Sequence, residues 1–363
     1  MLRRLHVDNF ASLVNFDWKP ERICLLLGAN GAGKSSLPGV LRRIREVVVW
    51  ETPVAQVFPS ETRTAWQTLP HQVFELDVEG RGGLFRYRLQ VRHGGLPKVR
   101  IDEESLSKDT RTLYRFDGRE AHLYDNRGVE GAHFPVTDQR SYMSSLTERP
   151  ETEELRWFRD EFLRKIWIGG LAPSAGGSAA NEEHAALSHD GSNLPSWYRH
   201  LLQERPEKLG EVVEDLRPSI PGLKAFRTPV GDDGQRSLKL AFGAPDDGGA
   251  YELSYHQLSD GQRALTALYA LIRASDAPMI MIDEPDNFLA VREIRPWLAA
   301  AEEWAFAGHQ LIVATHNDHA VDHLASNQTL LLRRTNGPTR IEPLEVDLNA
   351  GQKASQAALE GPQ

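Results

Sequence analysis

The sequence predicts an α/β fold organised around a phosphate-binding loop, with an antiparallel β subdomain and an inserted helical lobe, on three observations. The apolar run Ile23-Cys-Leu-Leu-Leu27 reads as a buried strand, and it leads directly into Gly28-Ala-Asn-Gly-Ala-Gly-Lys-Ser35, which fits G-x-x-x-x-G-K-[ST] without a mismatch and precedes a segment able to start a helix. Two further apolar runs end in polar pairs: Met279-Ile-Met-Ile282 in Asp283-Glu284, and Leu311-Ile-Val-Ala314 in Thr315-His316. Ahead of these, Val73 to Glu79 and Leu84 to Arg92 alternate apolar and polar residues around Gly80-Arg-Gly-Gly83, the pattern of a β-hairpin.

In chain order, residues 1–50 hold the opening strands, the glycine loop and its helix. Pro38-Gly39 falls a few residues into that helix. An interior proline costs about 3 kcal/mol and kinks a helix, but in a first turn its missing N–H is one of those free anyway. The expectation is a tolerated proline with some distortion. Glu51 to Pro70 is a loop. The hairpin then places Phe74, Leu76 and Val78 on the face shared with Phe85, Tyr87 and Leu89, and sets Glu75 against Arg88 and Asp77 against Arg86. Those acids account for most of a basic strand face (Arg86, Arg88, Arg92) that otherwise resembles a nucleic-acid patch. More β-like pieces run to about Val136.

Thr152 to Ile168 has its apolar residues near helical spacing and is expected to be a helix. Leu171 to Ala180, rich in Gly, Ala and Ser, reads as a mobile loop. Helices are expected from Asp190-Gly-Ser-Asn-Leu194 through Leu202, from Glu207 to Leu216 and from Gln262 to Ser275. Pro195, Pro206, Pro218 and Pro221, with no sustained heptads, rule out a long coiled coil. His184, His189 and Glu183 lie close in sequence but lack metal-ligand spacing on a firm element and read as surface residues. From Leu330 a last strand or two precede a polar tail, Ala350 to Gln363, expected to be frayed. The expected lobes are 1–145 (phosphate loop and β subdomain), 146–245 (inserted helical lobe) and 246–363.

The chemistry lies in the loop and the strand ends. The loop glycines let backbone N–H groups cradle phosphates at the positive end of a helix dipole. Lys34 would reach the β- and γ-phosphates, and the Ser35 hydroxyl would ligate magnesium. Two adjacent carboxylates at a strand's end can divide the work of phosphoryl transfer. Asp283 would hold the hydrated magnesium, and Glu284 would orient and deprotonate the attacking water. His316 is placed to hydrogen-bond the γ-phosphate or that water.

Together with Leu258-Ser-Asp-Gly-Gln262, these residues resemble the ATP-binding-cassette ATPases, more narrowly the soluble heads of the SMC, RecF and OLD type. The signature loop of that superfamily is usually written L-S-G-G-Q, and it caps the γ-phosphate bound in the opposite subunit. Asp260 stands in place of its first glycine. Some twenty residues separate Gln262 from Asp283, which suits the family order. Leu2 to Phe10 looks like the first strand of these heads, which typically ends in Asn-Phe. Alone, the signature also reads as a polar cap on the helix that follows. The resemblance implies an ATP-sandwich dimer with magnesium. Asn30, Gly31, Ala32, Gly33, Lys34, Ser35, Ser36, Asp283, Glu284 and His316 would come from one chain, and Ser259, Asp260, Gly261 and Gln262 from the other. Departures are Ala290, where relatives carry a polar contact, and Asn317, where serine is common. A magnesium-sensing glutamine is expected, with Gln139 and Gln72 both in position. Nothing resembles the acidic metal cluster of a Toprim nuclease, so the output is expected through a separately encoded effector or a nucleic acid.

Composition bounds the rest. Charged residues are 26% and hydrophobic residues 40%, ordinary for a water-exposed globular chain. No apolar stretch approaches the ~20 residues that span a bilayer, and no apolar signal core follows Arg3 and Arg4. The one cysteine, Cys24, permits no disulfide within the chain and suits a reducing cytoplasm. The net charge of −9 speaks against a broadly basic DNA-binding surface and leaves a local basic groove in a dimer open. Two roles follow: the ATPase of an anti-phage defence system gating a partner effector, favoured modestly by the acidic balance, or a RecF-like DNA-repair clamp.

Overall fold

Alternating residues build the amino-terminal sheet. The computed structural model describes residues 1–146, 149–232, 234–243, 249–344 and 353–360. They fall into two units, one comprising Met1–Ile166 and the strands from Gln328, the other Trp167–Asn327 with a helix of the tail. In the first unit lie β1 (Leu2–Asp8), β2 (Phe16–Trp18), β3 (Ile23–Gly28), α1 (Ser36–Val49) and the single turn α2 (Val54–Val57). β4 (His71–Gly80), β5 (Gly83–His93), β6 (Val99–Lys108), β7 (Arg111–Phe116), β8 (Glu120–Tyr124), β9 (Glu130–Pro135) and the short α3 (Glu153–Arg156) follow. Eight strands form an antiparallel sheet in the order β2-β1-β4-β5-β6-β7-β8-β9. This is the expected β subdomain.

The hairpin register is the expected one: Phe74 faces Leu89, Leu76 faces Tyr87 and Val78 faces Phe85. On the opposite face Arg88 pairs with Glu75 and lies 3.4 Å from Glu103. Arg92 reaches Asp102 at 3.9 Å, while Arg86 donates to the Asp109 carbonyl at 2.9 Å. The arginine face is therefore largely committed within the sheet. Apolar residues of the other face pack on Trp157, Phe158 and Phe162, with Phe85 stacked on Trp157 at 4.9 Å. Gly80 has to be glycine, because a Cβ there would lie 1.8 Å from the Trp157 ring.

Thr152 to Ile168 differs from the single helix expected. After α3 the chain widens into a π-helical turn, Trp157–Leu163, and then extends into β10 (Trp167–Gly169), the first strand of the second unit. Apolar residues at helical spacing are followed there by a continuous run, Ile166-Trp-Ile168. Such a run suits a strand buried on both faces, which periodicity alone does not separate from a buried helix. Gly169 seals the choice, since a Cβ would sit 1.8 Å from the His189 carbonyl oxygen.

The second unit continues with α4 (Leu194–Glu204), α5 (Pro206–Leu216), β11 (Leu223–Arg227), β12 (Lys239–Gly243), β13 (Ala250–Ser254), α6 (Asp260–Ala274), β14 (Met279–Asp283), α7 (Val291–Phe306), β15 (Gln310–Ala314) and α8 (Asp318–Leu324). β10, β14 and β15 pair in parallel. Their apolar runs are buried on both faces, as parallel strands require. β11, β12 and β13 form an antiparallel ribbon, and α5 packs on α6, which packs on α7. Leu171 to Ala180, read as mobile, is tied down: Leu238 N–H donates to the Ser178 carbonyl at 2.8 Å, and Ser178 Oγ lies 2.9 Å from His256 Nδ1.

β16 (Gln328–Arg333) and β17 (Arg340–Pro343) return to the first unit, β16 running parallel to β3 and antiparallel to β17. Of the tail, Ala354–Glu360 is a helix, α9, whose Ser355 N–H donates to Asp322 at 3.1 Å. The expected fraying at 350–352 and 361–363 lies outside the described residues.

One buried acid stands out in the first unit. Glu104 is fully buried and accepts from Tyr87 OH and Ser141 Oγ, both at 2.8 Å, and from Tyr114 OH at 3.2 Å. Burial outweighs these three donors and pushes its carboxyl up to about 7. The folded chain thus keeps a proton that the unfolded chain loses near pH 4.3. Its contribution is complete below that pH and is lost as pH rises towards 7, by roughly 3 kcal/mol at most. Glu104→Gln is expected to flatten the fall in stability between pH 4.5 and 7 measured by urea denaturation. An unchanged slope would show that Glu104 does not hold its proton in the folded state.

Candidate functional site

The phosphate loop is assembled wholly within the first unit. β3, buried from Ile23 to Leu27, delivers the chain to Gly28. Gly31 and Gly33 then take φ of +79° and +106°, values that glycine adopts without the Cβ penalty. Gly33 also has no room for a side chain, since a Cβ would lie 2.6 Å from Thr339 Oγ1. That hydroxyl, carried by the turn between β16 and β17, donates to the Ala32 carbonyl at 2.8 Å and is bonded to Ser12 Oγ at 2.8 Å. Gly31, by contrast, faces open space, so the exposed rim of the loop, with Asn30, is bare backbone.

Lys34 Nζ donates to the Gly28 carbonyl, which holds the ammonium over the loop. Ser35 precedes α1, is exposed, and makes no side-chain capping bond; α1 has no acidic residue in its first turn. The N–H groups of Ser36 and Leu37 are taken by the Gly33 and Lys34 carbonyls, so the helix start offers a positive dipole end without an internal anion to quench it. Pro38 sits in that first turn, and the helix runs unbroken to Val49, so the proline is tolerated as expected. A bare glycine rim, a lysine ammonium and an unspent hydroxyl fit a nucleotide triphosphate and a hydrated magnesium ion.

The second unit carries the carboxylates. Asp283 closes β14 half-buried, and Glu284 follows with φ +48°, a left-handed conformation that costs a non-glycine residue free energy. The surroundings hold it there. Glu284 N–H donates to the Ala314 carbonyl at 2.7 Å, its Oε2 accepts from Asn287 Nδ2 at 2.7 Å, and its Oε1 lies 2.9 Å from His316 Nδ1. Beneath them, Thr315 Oγ1 donates to the buried Asp286 at 2.8 Å, and Asn317 caps α8 through bonds to His319 and Ala320 N–H. The expected Glu284 and His316 are thus in contact, and Asn287 and Asp286 join them. Those two were not singled out from the sequence, although the second acid-amide pair in Asp-Glu-Pro-Asp-Asn287 was the available signal.

In the signature segment Ser259 is exposed at the start of α6 and forms a reciprocal cap with Gln262: Gln262 N–H donates to Ser259 Oγ at 3.2 Å, and Ser259 N–H to Gln262 Oε1 at 3.0 Å. Asp260 pairs with Arg263. A Cβ on Gly261 would lie 2.8 Å from the Phe288 carbonyl, so this glycine packs on the loop that follows Glu284. Of the two glutamines in position for magnesium sensing, Gln72 is spent: it is buried, donates to the Asn9 carbonyl at 2.9 Å and accepts from His93 Nε2 at 2.8 Å. Gln139 is exposed. Ala290 N–H, at the start of α7, donates to Glu293 at 2.9 Å. Among the described residues no helix is long and apolar enough to cross a membrane.

The fold is that of ATP-binding-cassette-class heads such as the SMC heads, and it carries their phosphate-loop motif. Residues 23–322 match the family described as "AAA domain, putative AbiEii toxin, Type IV TA system", and the chain belongs to that family. Solved structures share the fold. An Smc head bound to the C-terminal winged-helix domain of ScpA aligns with a TM-score of 0.59 at 15% identity, over 96% of this chain and 99% of that one. The SMC head domain from Thermotoga maritima gives 0.51 at 15%, over 95% and 99%. An Smc head from Pyrococcus furiosus with an extended coiled coil, bound to the C-terminal domain of ScpA, gives 0.53 at 12%, over 96% and 98%. None of the curated proteins matches the chain.

Thr339→Val removes the buried hydroxyl that satisfies the Ala32 carbonyl while keeping its shape. It is expected to lower stability by about 1–3 kcal/mol, the cost of an orphaned buried acceptor, and to weaken nucleotide binding. Urea denaturation and nucleotide titration check both, and wild-type values in each would show that the loop does not lean on this turn.

Proposed function

We propose that the chain binds and hydrolyses ATP as a head-to-tail dimer and serves as the ATPase component of an anti-phage defence system, controlling a separately encoded effector. The observation that carries the hydrolytic part is Glu284, held in a strained backbone conformation with its carboxylate bracketed by His316 and Asn287. A carboxylate positioned on both oxygens is suited to accept a proton from an attacking water. Lys34 and the loop N–H groups would bind the β- and γ-phosphates. Ser35 and Asp283 would hold magnesium, which when bound draws negative charge from the transferring phosphoryl group. His316, two-thirds exposed, is free to reach a γ-phosphate or the water.

The dimer rests on the signature segment. Ser259 is exposed at the start of the 15-residue α6, and with Asp260 neutralised by Arg263 the helix dipole there favours an anion, which suits capping the γ-phosphate bound by a second copy. ATP binding would then close the dimer and hydrolysis release it. The defence role is supported by the family description, which names a toxin–antitoxin system, and by an acidic balance that does not favour duplex DNA. The related heads are described bound to a partner protein, which agrees with output through a partner.

Glu284→Gln is expected to keep ATP binding, lower turnover at least a hundredfold and accumulate an ATP-bound dimer in light scattering. In cells carrying the chain with its neighbouring genes it should also abolish protection against phage. Turnover at the wild-type rate would remove Glu284 from its role, and protection by the inactive variant would remove hydrolysis from the defence reading.

Ser259→Arg adds bulk and positive charge at the proposed γ-phosphate cap. It should block ATP-driven dimerisation and turnover while leaving nucleotide binding to the monomer nearly intact. Hydrolysis at the normal rate would mean that each chain is a self-sufficient ATPase.

A further inference from the structure

The last hairpin of the antiparallel sheet, within the first unit, gathers two imidazoles and a carboxylate on one face. His122 of β8 stands directly opposite His133 of β9, and their rings stack with centroids 5.6 Å apart. Directly opposed residues of an antiparallel pair share a face, as do residues two apart along a strand. Regular pairing would therefore put Gly131 on the histidine face and Glu130 on the other. Instead the register shifts between His122 and Tyr124, so that Tyr124 faces Glu130. This irregularity brings Glu130 onto the face of the two histidines, the re-aiming of a side chain that a β-bulge produces.

Glu130 Oε1 lies 2.9 Å from His122 Nδ1, and one ligand atom from each of the three residues lies within 4.8 Å of those of the other two. Donors held tetrahedrally around zinc at 2.0–2.1 Å are about 3.4 Å apart. Glu130 and His133 are exposed on the outermost strand of the sheet, so rotation of their side chains can close that difference. The second nitrogen of His122 also has a neighbour: Nε2 lies 3.8 Å from Asp117 Oδ2. Asp117 is itself fixed through Oδ1, which accepts from Arg119 and Glu120 N–H, both at 3.0 Å. A neutral imidazole has a single N–H. With that proton on Nε2, facing Asp117, the Nδ1 lone pair is turned towards Glu130 and open to an ion. Metal-binding histidines are commonly oriented by a carboxylate in this way. Arg115, across from His122 on β7, opposes a further cation, but the carboxylates of Asp117 and Glu130 outnumber it.

We propose that His122, Glu130 and His133 bind a divalent first-row metal ion, zinc foremost, with Asp117 as the carboxylate that positions His122. Two imidazoles and one carboxylate are a donor set that zinc accepts, and they leave its fourth tetrahedral position to water. The ion ties the edge strand β9 to β8 beside the interruption in their pairing. No residue assigned to the nucleotide takes part, so the inference stands or falls apart from the proposed ATPase.

The test titrates zinc into the full, metal-stripped chain in competition with a chromophoric chelator, with magnesium in excess to occupy sites that prefer it. About one tightly bound zinc per chain is expected. Asp117→Asn, which acts only through His122, should weaken it roughly 10–100-fold; His122→Ala and His133→Ala should each weaken it further. Cobalt(II) in place of zinc should give the visible absorption of a tetrahedral site, lost in His133→Ala and retained in Asp117→Asn at saturating cobalt. Glu130→Gln keeps the side chain's shape and should also weaken zinc, so the test does not depend on the histidine variants folding. His184→Ala, a change at an exposed histidine outside the cluster, should leave binding unchanged. Absence of tight zinc binding by the wild type would overturn the site, as would wild-type affinity in the His122→Ala/His133→Ala double variant. Equal weakening by His184→Ala would also overturn it, by showing that zinc is held elsewhere.

Discussion

The phosphate loop can exist only where two backbone positions turn left-handed and one of them is pressed against a hydroxyl. Gly33 has no space for a Cβ beside Thr339, and the same hydroxyl satisfies the carbonyl of Ala32. The same contact ties the loop to the turn between β16 and β17, while Lys34 is held separately by its bond to the Gly28 carbonyl.

The carboxylate end shows a different balance. Nothing about Glu284 favours its backbone conformation, and Pro285 after it does not relieve it. The Ala314 carbonyl, Asn287 and His316 hold the residue from three sides, while the Thr315–Asp286 bond stiffens the layer below. The proposed role as a base would use such an arrangement, because a carboxylate free to rotate would have to be ordered when water attacks. Strain at one residue is offset by hydrogen bonds from its neighbours.

Much of this was legible in the sequence. The loop glycines, the hairpin register from Phe74 to Leu89 and the three buried parallel strands follow from patterns with one physical solution each. Helix positions were read well where proline or a polar cap marks the start, as at α5 and α6. Thr152 to Ile168 is helical as far as Leu163, and the strand from Trp167 was missed because apolar spacing does not distinguish a buried strand from a buried helix over a few residues. The bonds of Gln72 to Asn9 and His93 are likewise contacts that sequence spacing does not reveal. Asn287 and Thr339 carry no motif; what marks them out is the contact the fold gives each, with Glu284 and with Ala32.

The bond between Ser12 and Thr339 spans 327 residues, and β3 is flanked in the same unit by β16, also from far along the chain. Contacts of such separation form late, because the closure entropy of a long intervening segment has to be overcome first. During synthesis the glycine loop therefore emerges well before Thr339 and stays without its buttress until the intervening residues have been made. A product ended before Thr339 would carry the glycine loop without the hydroxyl that satisfies the Ala32 carbonyl.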